Sequence, residues 1–473
     1  MLIKQRSVTI DGQSLSEGTK EALLGVHGVL RERFPHLHAS LRVDAVADYS
    51  LLYEWTGSDP SLDPVVLIAH LDVVPVPPEQ ESDWVHAPFG GEVIDGEVWG
   101  RGALDVKGRV VAHLAAVEAL LEGGMDAPER TIFLSYGHDE EIGGAEGATA
   151  LAAEIERRLG GRRVAALLDE GGAVTSGAVP GMPRALEGAM VGTAEKGSFC
   201  IKLRAESRGG HAAFVPLNGT PVTAVARAVA ALHTAPSRPR LTPPVVEMLE
   251  RVSPLVDEPY RTLFANLDVF GGVIARAFAS HAEKANSLVR TTYTATTSSA
   301  GLKKNVVPAL AETVINVRPL PGESVEAALG AVRDAVEPFG VTAEVDHEAF
   351  IAQATAPDGT GVNPAAWAAL ERAIHRVYGW DTIVTLPFIM LGTTDSKHFL
   401  RLADVVYRIG QRMSDAAIDT IHGVDERESA EGIAEQAMLF AEFIELYCFR
   451  GEAAGVAAPS SALEPTNGPK AQS

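Results

Sequence analysis

Two histidines and several carboxylates come first, because each follows an apolar stretch of chain. "PVVLIAH" ends at His70, with Asp72 two residues on, and "WGRGALDVKG" carries Asp105. "HDEEIGG" (138–144) sets Asp139, Glu140 and Glu141 directly after the apolar run "TIFLSY". "LLDEGG" offers Asp169 and Glu170, and "LGTTDSKHFL" brings His398 just past a late apolar run. Ionised carboxylates leave water only where positive charge meets them. Three in a row at the end of a buried strand therefore call for a cation. Two histidines, several carboxylates and no cysteine suit one or two divalent ions, with zinc the first choice.

Each residue also has an ordinary reading. Asp105 fits a turn in a Gly-rich loop, Asp169 fits a helix N-cap, and Glu140–Glu141 fit a solvated acidic turn. His27, His36, His86, His113, His138 and His233 read as surface or core residues. His70 differs because residues i and i+2 of extended chain share a face, so Asp72 can hold the second ring nitrogen. The joint pattern carries the case: all of these groups fall at strand ends, where open α/β sheets build their sites.

The elements that would position them alternate. "PVVLIAH", "TIFLSY" and "VAALLDE" read as buried strands, and 106–124 and 145–161 as helices ending at glycine. Strand–helix alternation predicts an α/β domain with a mostly parallel central sheet. From about residue 191 the texture changes to period-two alternation, in 197–207 and 311–321, as in half-exposed antiparallel strands. A helix is expected over 324–340. The α/β pattern returns after about 350, with a helix in "NPAAWAALERAIHRVYG", strands in "TIVTLPFIML" and "ADVVYRIG", and a closing helix from "ERESAEG". The expected organisation is a catalytic domain in two parts, 1–192 and 351–450. An α+β domain is inserted at 193–350, and a disordered Ala/Pro/Ser/Gly-rich tail follows at 451–473.

A chain of 473 residues is too long for one core. The formal charge of −22 argues against nucleic acid and anionic membrane surfaces as partners. Cys200 and Cys448 are too few for a disulfide framework or a thiolate zinc site. Neither a secretory h-region nor a stretch near the ~20 apolar residues of a membrane span is visible. A soluble cytoplasmic protein is the expectation.

The motifs "AHLDVVP", "WGRGALDVKG", "DEEIGG", "LLDEGG", "AEKG", "RGGHAAFVP", "NVVPALAETVINVRPLPGES", "GTTDSKHF" and "IHGVDERES" run in order from residue 69 to 429. In them the chain resembles the dinuclear-zinc metallopeptidases that include carboxypeptidase S, aminoacylase, glutamate carboxypeptidase and succinyl-diaminopimelate desuccinylase, with the carboxypeptidase S branch nearest. The resemblance implies a zinc-peptidase domain of the phosphorylase/hydrolase type with a ferredoxin-like lid or dimerisation domain. It implies two Zn²⁺ per subunit, which Co²⁺ or Mn²⁺ can replace. His70 and Asp169 would hold one metal, Glu141 and His398 the other, and Asp105 would bridge both. The third-carboxylate position is Glu in some members and Asp in the carboxypeptidase S branch, so Asp169 is taken ahead of its neighbour Glu170. Glu140 would be the general base and Asp72 the support of His70. In the inserted domain His211 would reach the oxyanion, in some members across a dimer interface, and Arg318 and Asn305 would hold a substrate carboxylate. Val106 departs from the Asp, Met or Thr common after the bridging aspartate, and His138 is also unusual.

The chemistry agrees with the resemblance. Two metals ~3.5–4 Å apart lower the pKa of a shared water and polarise an amide carbonyl. Gly209 and Gly210 allow His211 a close approach, and a guanidinium at Arg318 matches a carboxylate. The expected function is hydrolysis of an amide bond beside a free carboxylate, by a carboxypeptidase, dipeptidase or N-acyl-amino-acid hydrolase. The competing readings are a catalytically silent binding protein on the same fold and a dinuclear phosphatase. Small peptides or N-acyl amino acids would be the substrates. The region 236–304, where a side-chain pocket is expected, holds no motif that fixes the choice.

Overall fold

The structure, a computed structural model, describes residues 1–214, 216–234, 237–346 and 363–449. The segment at the expected 350/351 boundary and the expected tail lie outside the described residues.

Apolar runs become the centre of a nine-stranded sheet. Its path runs through Arg42–Val46, Ser50–Trp55, Ile132–Gly137, Val65–His70, Ala166–Asp169, Val406–Arg408, Glu187–Glu195 and Ile383–Met390, with Ala173–Ser176 beside Glu187–Glu195. The strand Val65–His70 lies parallel to both Ile132–Gly137 and Ala166–Asp169, and every one of its side chains is buried. Burial on both faces explains its unbroken Val/Ile/Leu character, as expected of parallel sheets covered by helices. The helices Gly108–Glu122, Pro364–Tyr378 and Ala430–Ile444 build one apolar layer with the sheet, and Gly147–Leu159 builds the other. The end of "ADVVYRIG" forms only the short strand Val406–Arg408. The closing segment begins as the strand Arg427–Ser429 before its helix starts at Ala430.

The inserted region holds a second, antiparallel sheet in the order Thr292–Ala300, Leu310–Arg318, Phe199–Glu206, Thr342–Val345. With the helices Pro221–Thr234 and Val325–Val336 this is the βαββαβ arrangement of a ferredoxin-like domain. Its core includes Phe199, Ile201, Leu203, Ile315, Val317 and Val332, and is separate from that of the large sheet.

The expected single insert 193–350 divides in two by packing. Its helical stretch, from Pro243–Val252 to Glu283–Val289, turns away from the small sheet. Val245, Met248, Leu249 and Val252 pack instead on Leu386 and Ile389 of the strand Ile383–Met390 in the large sheet. An amphipathic helix needs an apolar partner, and the sequence pattern does not say which sheet supplies it. Two crossings of the chain between the two bodies, at 195–199 and 289–292, meet at Lys196. Its Nζ donates to the carbonyls of Ser287 and Arg290 and to Thr292 Oγ1, at 3.0–3.3 Å. Among the described residues no helix is long and apolar enough to cross a membrane.

Candidate metal centre

His70 closes its strand with its ring 1% exposed. Its Nδ1 sits 3.1 Å from the Asp72 carbonyl oxygen and 3.4 Å from Asp72 Oδ1. Both the backbone and the side chain of Asp72 thus lie against the His70 ring. Asp72 does more, because its two oxygens accept from the backbone N–H groups of Glu140 at 3.1 Å and Glu141 at 3.2 Å. One buried carboxylate therefore fixes a histidine on one strand and a pair of glutamates at the end of the next.

On its other side, His70 Nε2 lies 3.1 Å from Asp105 Oδ1 and 3.5 Å from Glu170 Oε1. Asp105 Oδ2 faces His422 Nε2 at 3.1 Å, and the same nitrogen is 3.2 Å from Glu141 Oε2. Asp105 thus presents one oxygen to each of two half-sites. His70 and Glu170 flank the first, and His422 and Glu141 flank the second. Glu140 belongs to the first half, with ligand-type atoms of His70, Glu140 and Glu170 all within 4.8 Å of one another.

Two expected residues stand elsewhere. Asp169 turns its carboxylate to the backbone, accepting from Glu170 N at 2.7 Å and Ser396 N at 3.1 Å. Neighbouring residues at a strand end point to opposite sides, and it is Glu170 that points into the cluster. His398 lies behind the glutamate turn, where its Nε2 donates to the Gly143 carbonyl at 2.9 Å and its Nδ1 accepts from Thr149 at 3.2 Å. Both ring nitrogens are engaged, and His422 occupies the place expected for it. His422 lies in "IHGVDERES", a motif whose histidine could have been weighed beside the other.

The His422 loop is held by Glu426, which is fully buried. One of its carboxylate oxygens accepts from the N–H groups of Gly102, Leu104 and Asp105 at 2.9–3.1 Å, and the other pairs with Arg101. The peptide bond after Asp105 is cis. His422 adopts the left-handed backbone conformation, with φ 59°.

The electrostatics are those of a cation site. Burial raises Glu140 and Glu170 well above the usual carboxylate range, and it raises Glu141, with Asp105 adding to the rise. Glu141 Oε1 is buried with no hydrogen-bond partner among the described residues. His422 is pushed up to about 10 by its hydrogen bonds to Asp105 and Glu141. Burial opposes ionisation of Asp105 too, but hydrogen bonds from His422 and His70 hold it below the usual range. Crowded acids around two imidazole nitrogens, with a spare buried oxygen, fit two divalent cations sharing one carboxylate.

The inserted domain's residues are not joined to this cluster. His211 and Asn305 lie on a small ribbon in which Gly210–His211 pairs with Val306–Val307, and Ala212 N donates to the Asn305 carbonyl. His211 is exposed; its Nδ1 accepts from Ala213 N at 3.1 Å and its ring meets Phe214. Arg318 is half-buried on the outer face of the small sheet.

Residues 66–446 match peptidase family M20/M25/M40. The chain belongs to this family. It is 33% identical over 421 residues to the Xenopus tropicalis N-fatty-acyl-amino acid synthase/hydrolase PM20D1, covering 88% of this chain and 79% of that one. It is also 33% identical over 408 residues to the probable carboxypeptidase S-like 2 of Dictyostelium discoideum, covering 85% and 75%. Among solved structures, the M20 family metallo-carboxypeptidase Sso-CP2 of Sulfolobus solfataricus shares the fold with a TM-score of 0.64 at 19% identity, over 94% of this chain and 97% of that one. Human carnosine dipeptidase 1 does so with a TM-score of 0.65 at 18% identity, over 93% and 94%. M20 membership agrees with the metallopeptidase resemblance of the motifs and with a mixed α/β fold carrying an inserted domain.

Proposed function

We propose that this chain is a dinuclear metal-dependent hydrolase of amide bonds that lie next to a free carboxylate. N-acyl amino acids and small peptides are its substrates. The observation that carries the reading is Asp105, one oxygen toward His70 and the other toward His422. In this reading His70 and Glu170 hold one zinc, His422 and Glu141 hold the other, and Asp105 is shared. When bound, the metals supply a water of lowered pKa and a Lewis acid for the scissile carbonyl.

The chain's own residues do the rest. Glu140 is held at the cluster by its backbone bond to Asp72 and lies within the His70 half-site. It accepts the proton of the attacking water and passes it to the leaving amine. Arg318 binds the substrate's carboxylate, assisted by Asn305, and His211 donates to the developing oxyanion. The ribbon bearing His211 and Asn305 is flanked by the exposed apolar residues Phe214, Leu217 and Leu302. That exposure supports a ribbon covered by a second copy, which would place His211 in the neighbouring subunit's site.

The relatives' names divide between N-fatty-acyl-amino acids and carboxypeptidase S-like peptidases, so the test is a panel of both. Release of free amino acid from N-acyl amino acids or dipeptides, abolished by a chelator and restored by zinc, is the expected result. Purified protein that holds two zinc ions per chain and cleaves neither class would overturn the reading.

A further inference from the structure

The guanidinium of Arg318 is only partly engaged. Its Nε donates to Asn316 Oδ1 at 3.0 Å, and among the described residues no carboxylate pairs with it. Asn316 lies two residues earlier on the same strand face and directly across from Cys200 in the register. Its Nδ2 reaches Cys200 Sγ at 3.8 Å. A guanidinium offers donors alone, so the amide must turn its oxygen to Arg318 and its nitrogen to the sulfur.

The base of this arrangement is fixed. Gly197 N donates to the carbonyl of Pro319, the residue after Arg318, at 3.1 Å. Lys196 N donates to the Met390 carbonyl at 3.0 Å, tying the same point to the large sheet. Lys196 Nζ also holds Thr292, the register partner of Arg318 on the neighbouring strand. Arg318 therefore stands at the pinned root of the small domain, whereas His211 stands on its free ribbon.

We infer that Asn316 is a positioning residue that aims the Arg318 fork. With Nε occupied by Asn316, only the Nη1/Nη2 edge remains for an incoming carboxylate, which docks end-on through two parallel hydrogen bonds. The inference rests on the reading of Arg318 as the carboxylate clamp, and it adds the element that sets the clamp's direction. Cys200 completes the chain of contacts by accepting from the amide nitrogen.

The test compares N-octanoyl-leucine with its α-amide, which lacks the carboxylate, in wild type, Asn316→Leu, Asn316→Asp and Arg318→Ala. In Asn316→Leu the KM for the acid should rise ~3–10-fold with kcat nearly unchanged, and the KM for the amide should not move. Asn316→Asp sets a fixed anion against the fork in competition with the substrate, so its KM for the acid should rise further, ~10–100-fold. The acid-to-amide ratio is measured within one preparation, so a partly unfolded variant does not distort it. An unchanged ratio in both Asn316 variants, with Arg318→Ala shifting it, overturns the role of Asn316 alone. An unchanged ratio in Arg318→Ala overturns the clamp, and this inference with it.

Discussion

The metal cluster and the His211 ribbon are assigned to one reaction, yet they are built in opposite ways. In the cluster His70, Glu140, Glu141 and Asp105 are each held by a bond to another part of the chain, from Asp72 or Glu426. In the ribbon His211 and Asn305 have only local partners among the described residues, and the flanking Leu217 and Leu302 are fully exposed. Ligands crowded into a low-dielectric site must be fixed before the cation arrives, since each loose carboxylate would repel its neighbours. An oxyanion donor is needed only at the moment of reaction and can be brought in by domain closure or by a second subunit. Rigidity and exposure thus mark two different duties.

The largest effects should fall in the fixed half. Glu140→Gln should keep both metals and lose ~10²–10⁴-fold in kcat, as for a general base. Metal analysis beside kinetics checks it, and loss of zinc from this variant would make Glu140 a ligand instead. His422→Ala should lose one metal and nearly all activity, whereas His398→Ala should keep two. The reverse result would restore His398 as the histidine ligand expected from sequence.

The exposed half comes next. His211→Ala should lower kcat ~10²–10³-fold at unchanged metal content. If the ribbon serves a second copy, mixing inactive His211→Ala with inactive Glu140→Gln should restore part of the activity. No rescue between subunits shown to exchange would place His211 in its own chain's site.

A smaller effect tests why the cluster is rigid. Asp72→Asn leaves every ligand present but weakens the hold on His70 and on the glutamate turn. Metal affinity should fall ~10–100-fold, read by chelator competition. An affinity equal to wild type would mean that the turn is held without Asp72.

The smallest effect is a slope in stability with pH. In the chelator-treated protein Glu140, Glu141 and Glu170 are raised, and His422 is raised from 6.5 to about 10. A group raised in the folded state binds more protons folded than unfolded above its ordinary value, so stability falls as pH rises. In the window between 6.5 and about 10 it is His422 that sets the fall. Tm should decline across it without metal, decline less in His422→Ala, and hold level with zinc present. A metal-free Tm that rises over this window would contradict the hold of Asp105 and Glu141 on a protonated His422.

The sequence showed what periodicity and burial can encode. Val65–His70 is apolar on both faces because helices cover both, and that run alone placed His70 at a strand end. Glu140 and Glu141 were legible because charge directly after a buried strand is unusual. The choice between Asp169 and Glu170 was not legible, since adjacent residues differ only in the side to which each points. His422 lay outside any strand or helix pattern, in a loop whose position depends on Glu426 bonding to residues 102–105, more than 320 positions away in sequence. The region 236–304 was legible only as helical in places, and nothing in it revealed that 243–252 would pack on Leu386 and Ile389.

Glu426 also bears on when the molecule becomes active during its own synthesis. Chains emerge from the ribosome N-terminus first, and domains fold as their residues appear. A nascent chain that has reached Ala403 already contains His70, Asp105, Glu140, Glu141 and Glu170, but neither His422 nor the carboxylate that gathers the N–H groups of Gly102, Leu104 and Asp105. Its Asp105 lacks the backbone bond to Glu426 and faces no His422. Under the proposed ligand set, hydrolytic competence therefore cannot arrive before residues 422–426 have been made and have folded back onto the Gly102–Asp105 loop.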